Sequence, residues 1–194
     1  MKRVGIFALL FLAAGAAAAA AAGRHTDAPS ATRCGGQTWR LKTFSDPRRK
    51  SVALVPKSTT IGDVGHRPYP RPVPAKRRTP FQLQNWTVVA QVTVFRLEDA
   101  GLRLILFDDG AYVNAVIPTP SCLSGASRAR KAMNDAWNTF VTKCTHPTRD
   151  WQSLGAVVYV SGVGLWSPRI GGRGAAPNGA ELYPVTSFRI IVGC

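Results

Sequence analysis

The chain has 194 residues, with 25 Lys and Arg against 10 Asp and Glu, so its formal net charge is +15. Such a field favours anionic partners: nucleic acid, acidic polysaccharide or lipid headgroups. Beyond the first two dozen residues every apolar run is short and broken by Arg, Asp, Pro or Gly, which argues against a membrane-spanning helix.

Residues 1–22 read as a secretory signal peptide. Lys2 and Arg3 stand at the front, an apolar run follows from Val4 to about Leu12, and a small-residue tail ends in Ala20-Ala21-Ala22, with cleavage expected before Gly23. The nearest cysteine is Cys34, so no Cys stands at the cleavage point as a lipoprotein would require. The expected location is the bacterial periplasm or the medium, where disulfides persist. Losing Lys2 and Arg3 would leave +13 of the +15 charges. About 170 residues would remain, the length of one domain with one core.

Residues 23–36 are polar and small and read as a flexible tail. Residues 37–83 read as an N-terminal strand followed by a strap. In Thr38–Phe44, Trp39, Leu41 and Thr43 alternate with Arg40, Lys42 and Phe44, a strand pattern ended by Asp46-Pro47. Prolines 56, 68, 70, 72, 74 and 80 then alternate with Arg67, Arg71, Lys76, Arg77 and Arg78. Such a segment cannot enter a sheet interior, so it should run extended over the surface and present those five cations to solvent.

Residues 84–194 read as a small closed five-stranded barrel. Trp86–Leu97 is long, β-branched and apolar on both faces; Leu102–Phe107 and Ala111–Ile117 follow across turns at Glu98–Gly101 and Asp108-Asp109-Gly110. Between Ala129 and Cys144, apolar residues at spacings of three and four predict one amphipathic helix. Two more strands, Ala156–Val163 and Val185–Val192, are separated by a glycine-rich loop over Ser167–Glu181. Three strands, a helix and two strands is the order of an OB-like barrel, whose last long loop and barrel face usually hold the ligand. Another small barrel, or a β-sandwich plugged by the helix, is the competing architecture.

Four cysteines allow three pairings. Cys122–Cys144 with Cys34–Cys194 closes the shorter loop. A full intervening helix would be ~24 Å long, whereas residues 122–127 reach back only ~17 Å, so this pairing needs a short or bent helix. A zinc site lacks its usual C-x-x-C pair, and His25, His66 and His146 are scattered.

The sequence has no G-x-S-x-G elbow and no phosphate-cradling P-loop. Glu98-Asp99 and Asp108-Asp109 sit where hairpin turns favour acidic residues anyway. The loop offers more, because glycines let backbone N–H groups approach a ligand beside Arg169 and Arg173. Arg169, Arg173, Asn178 and Glu181 are therefore the candidate anion-binding residues, and an ordinary hairpin loop is the alternative. Trp151, Trp166 and Tyr159 offer stacking surfaces for bases or sugar rings, although such residues also pack cores.

Gly162-Val163-Gly164, together with Ala176-Pro177-Asn178-Gly179-Ala180-Glu181-Leu182-Tyr183-Pro184-Val185, resembles the carboxy-terminal signature of a family of small, largely uncharacterised exported bacterial proteins. That signature reads G-V-G-F-F-D, then H-G-Q, then A-P-N-G-I-E-L-H-P-V. The stretches Trp39–Pro47, Thr59-Thr60-Ile61, Leu97-Glu98-Asp99 and Ile117–Cys122 resemble the same family in the same order. The chain departs from the signature at polar positions: Ser167, Ile170 and Tyr183 replace Asp, His and His, Arg103 replaces His, and Val116 and Thr119 replace acidic residues. The resemblance implies that any catalytic or metal-binding apparatus of relatives is lost here.

The function expected from these features is non-enzymatic binding of an anionic polymer or cell-envelope component, without a cofactor. A phosphoester- or glycan-directed hydrolase using Glu181 with Arg169 and Arg173 is the second reading, and a structural or protein-interaction module the third.

Overall fold

The computed structural model describes Cys34, residues 36–168 and residues 171–194. The signal-peptide and tail assignments, and Arg169 with Ile170, fall outside the described residues. The fold is mainly β. A mixed six-stranded sheet comprises β1 (Ala53–Ser58), β2 (Gln84–Glu98), β3 (Gly101–Asp108), β4 (Ala111–Pro118), β5 (Gln152–Trp166) and β6 (Ala180–Val192). Its order is β1-β2-β3-β4-β6-β5, and β5 pairs back onto β2, so five of the strands hydrogen-bond in a ring. All ring pairings are antiparallel except β4–β6, where Asn114 stands opposite Glu181 and Ala115 opposite Leu182. β2 serves two neighbours at once, pairing β5 over Asn85–Phe95 and β3 over Gln91–Glu98, with a bulge between Val92 and Val94 on both sides. The extra residue bends the long strand enough to belong to both halves.

Alternation then decides the faces. Val88, Ala90, Val92, Leu102, Leu104, Leu106, Val113, Ala115, Val158 and Val160 all point into one core. The helix α3 (Arg130–Lys143) buries Met133, Ala136 and Phe140, at spacings of three and four, and leaves its charged side in water. Phe140 closes the core, with its ring 5.0 Å from Phe95 and 5.6 Å from Phe188. Deleting such a buried ring costs about 3–5 kcal/mol.

Three expectations are corrected. Thr38–Phe44 is not a strand: Gly36–Thr38 is a 3-10 turn and Trp39–Lys42 one helical turn, α1. The reason is burial, because Leu41 and Phe44, three residues apart, enter two separate clusters, and only a helical turn puts both inward. The strap does begin within a sheet, since β1 includes Pro56 and Lys57 and pairs in parallel with the edge of β2. A short helix α2 (Ile61–Gly65) follows, with the Thr60 hydroxyl accepting from the Asp63 amide. Only then does the chain run irregularly to Pro80, and Arg67 and Tyr69 dock it on the ring through Trp86 and Trp166.

The third correction concerns the disulfides, which are Cys34–Cys122 and Cys144–Cys194, with Cα separations of 5.5 and 4.4 Å. Cys122 precedes the helix and Cys144 follows it, so a straight α3 of ~21 Å holds them apart. Each pairs instead with a different partner: Cys34 comes to the turn after β4, and Cys194 to the end of α3.

Candidate functional site

The outward face of β3, β4 and β6 carries Arg103, Ile105, Asn114, Val116, Glu181 and Tyr183. The structure starts β6 at Ala180, so Glu181 lies within a strand rather than in the loop where the sequence reading put it. Two segments cover this face. From one side α1 lays Leu41 against Val116, Leu165 and Tyr183. From the other, the glycine-rich loop lays Gly174 on Ile105. A Cβ on Gly174 would stand 2.2 Å from Ile105 Cγ2, and its φ of +64° also demands glycine. With its amide oriented to satisfy its neighbours, Asn114 donates to the carbonyls of Arg173 and Gly174 and accepts from Arg103, so it pins the loop to the sheet.

Between the two covers lies a chain of charges. Glu98 Oε1 accepts from Arg96 at 2.8 Å and from Arg103 Nε at 2.9 Å, and Arg103 Nη1 donates to Glu181 at 3.3 Å. The side chains of Arg103 and Glu181 are only 18% and 10% exposed, so these pairs are sheltered rather than solvated. Burial alone would raise the Glu98 carboxyl, but Arg103 and Arg96 outweigh it and hold the group below its ordinary value. Burial would likewise lower Arg103, yet Glu181 and Glu98 keep it firmly protonated. The Tyr183 hydroxyl, fully buried and beside Glu181, is pushed far above its usual range and donates to the Ala100 carbonyl. Arg103, opposite Val116 in register, thus reaches Glu181, and Tyr183 follows two residues later on the same face of β6. With Arg96 and Glu98, Arg103 and Glu181 make a charge-neutral network, most sheltered at Glu181.

The remaining candidates separate. Asn178 is consumed by structure: its amide donates to the carbonyls of Val64 and Arg67 at 2.8 Å and its oxygen accepts from the Ala180 amide. It ties the loop to the strap rather than facing a ligand. Arg173 is exposed, and its guanidinium lies 5.4 Å from the centre of the Trp151 ring, over which Arg96 also lies at 4.5 Å. A groove of about 240 Å³ opens beside it, lined by Thr93, Ile105, Tyr112 and Gly174. Glu181 and Arg173 therefore stand on two sides of the covering loop instead of converging. Trp166 is core, and Tyr159 is half-exposed on another face.

Of the five strap cations, Arg71, Lys76 and Arg78 are exposed and Arg67 is half-buried, its guanidinium 4.1 Å from the Trp86 ring. Arg77 is the correction. It is 0% exposed, paired to Asp46 at 2.9 Å, and donates to the Leu41 and Gln82 carbonyls. Burial lowers its pKa despite Asp46, yet an arginine stays charged. A proline-rich context signals exposure, but it cannot reveal that one cation of the run turns inward to a distant aspartate. Sequence reasoning also missed Arg96 and Asn114, and it read Glu98 as a turn residue when it ends β2. Hairpin register could have placed Arg96 and Glu98: the turn at Asp99-Ala100 sets Glu98 opposite Gly101 and Arg96 opposite Arg103. That like-charge pair calls for a nearby carboxylate.

No family model matches the sequence, and no curated protein matches it either. Among solved structures, a chain assigned as an aspartyl-tRNA synthetase from Leishmania major Friedlin aligns with a TM-score of 0.44 at 10% identity, over 74% of this chain. This chain spans 22% of that one, a likeness too loose to carry fold or function. Among the described residues, no helix is long and apolar enough to cross a membrane.

Proposed function

We propose that the ring is an OB-like barrel which, exported to the periplasm or medium, binds an anionic polymer through its basic surface and the Arg173 loop. The observation that carries this reading is the excess of exposed, unpaired cations over exposed, unpaired carboxylates: among the described residues only Asp63, Asp108, Asp109 and Asp150 are acidic and outside any ion pair. Asp46, Glu98, Asp99, Asp135 and Glu181 are each held by Arg or Lys. Lys50, Arg71, Lys76, Arg78 and Lys143 are exposed and make no ion pair within the described residues. The unpaired charge left on the folded surface is thus mostly positive, and a surface of one predominant sign attracts polyanions at long range. The resemblance to exported proteins, in the same reading, gives the compartment. A hydrolase built on Glu181 gains no support, because that carboxylate is sheltered and already neutralised by Arg103.

Binding of the full chain to heparin and to a single-stranded oligonucleotide, titrated across salt concentration, tests the proposal. Affinity is expected to fall steeply with salt, and replacing Arg71, Lys76 and Arg78 together by Ala should flatten the slope by about 0.7 per lost phosphate contact on the oligonucleotide. Absence of salt-dependent binding to either polymer overturns it.

A further inference from the structure

The ring has a second outward face, formed by β2, β5 and β6, and its composition differs from the covered one. Register lines up three rows across it: Thr87, Ser161 and Ser187; Val89, Tyr159 and Arg189; Gln91, Val157 and Val192. None of these nine residues is acidic. In the middle row Val89 is 43% exposed and Arg189 is exposed, so neither the helix nor the strap covers it, and Val192 in the next row is 61% exposed. The Arg189 guanidinium of the middle row lies 4.0 Å from the centre of the Tyr159 ring. Thr87 and Ser161 join hydroxyls at 2.6 Å below it, and Gln91 donates to the Gly155 carbonyl above it. At two strand spacings the row is about 10 Å wide.

Each part of this surface has a defined use toward one ligand chemistry. Planar π-systems stack on tyrosine rings and on guanidinium planes, and such stacking tolerates any base. Arg189 supplies a cation within reach of a phosphate, and the absence of carboxylates removes repulsion. Hydroxyl and amide groups along the flanking rows can hydrogen-bond a sugar-phosphate backbone without demanding a sequence. A purely apolar partner would leave Arg189 uncompensated. A sulfated glycan would use the charge but has no planar π-system to lay on the exposed guanidinium plane.

We infer that the Val89-Tyr159-Arg189 face is a stacking platform for single-stranded nucleic acid, which names the polymer within the polyanion-binding reading and rests on it. Neither Tyr159 nor Arg189 lines the groove beside Arg173 or touches the Trp151 ring that Arg173 covers, so the two surfaces can be tested apart.

The test measures affinity of the full chain for fluorescein-labelled oligothymidylate and, in parallel, for labelled heparin. Tyr159→Ala is expected to weaken oligothymidylate binding about tenfold, the size of one lost stacked base, while heparin binding stays unchanged. Tyr159→Phe should restore the affinity, and Arg189→Lys, which keeps the charge but loses the plane, should not. Retained thermal unfolding of each variant guards against a folding defect. If both polymers bind and Tyr159→Ala alters neither, the platform is overturned and polyanion binding stands. Equal losses for heparin and oligothymidylate overturn the stacking assignment in the same way. If neither polymer binds, both readings fall.

Discussion

The two outward faces of the same ring spend their polar residues differently. On β3-β4-β6, Arg103 and Glu181 lie beneath Leu41 and the Gly174 loop, and with Glu98 at the end of β2 they complete their ion pairs. On β2-β5-β6, Tyr159 and Arg189 are stacked on each other under no roof, and no carboxylate neutralises the arginine. A sheltered ion pair constrains the segments that shelter it, whereas an open cation remains free to meet a ligand. The comparison teaches that Glu181 and Tyr183 of the last strand serve architecture, and that the charge left open to a ligand lies on the other face.

The comparison breaks most visibly at the roof. Arg77→Leu leaves Asp46 buried without its partner and frees the Leu41 carbonyl, so it should cost about 3–5 kcal/mol in urea unfolding. Val89→Thr, on the open face, should stay within about 0.5 kcal/mol; equal effects would erase the distinction. Replacing Cys144 and Cys194 together by Ser should cost about 2–4 kcal/mol, read as a lowered unfolding temperature. This change releases the end of β6, which belongs to the open face.

A smaller effect separates the faces by pH. The folded protein holds the Glu98 carboxyl below its unfolded value, so at neutral pH the network is fully stabilising. As pH falls below the ordinary glutamate value of about 4.3, the unfolded chain binds the proton first and this stability is progressively lost. Stability measured by urea unfolding should therefore rise with pH across the acid range, and Glu98→Gln should flatten that rise. An unchanged acid profile in the variant would mean that the network contributes nothing to folding.

Much of this architecture was legible in the chain. The long two-faced apolar run over Trp86–Leu97, the turns at Asp99-Ala100 and Asp109-Gly110 and the three-four spacing through Phe140 gave β2, β3, β4 and α3 to within a few residues. Local periodicity and turn chemistry act over a few residues, and sequence displays them directly. The ends of β5 and β6 were less legible, because Gly155, Gly164 and Pro184 read as breakers. Gly164 is there because a Cβ would stand 2.2 Å from the Phe81 carbonyl oxygen, a contact between parts of the chain more than eighty residues apart.

The sequence by itself determined the sign of the surface, the strand-rich order with one helix, the proline-rich segment and the possibility of two disulfides. Tertiary structure alone decided which cysteines meet, that Arg77 turns inward to Asp46, that Glu181 is locked to Arg103, and that Tyr159 and Arg189 share an uncovered row. Each of these depends on which strands become neighbours. Register and ring closure bring together residues far apart in the chain, and their burial, charge state and exposure follow from that meeting rather than from any local pattern.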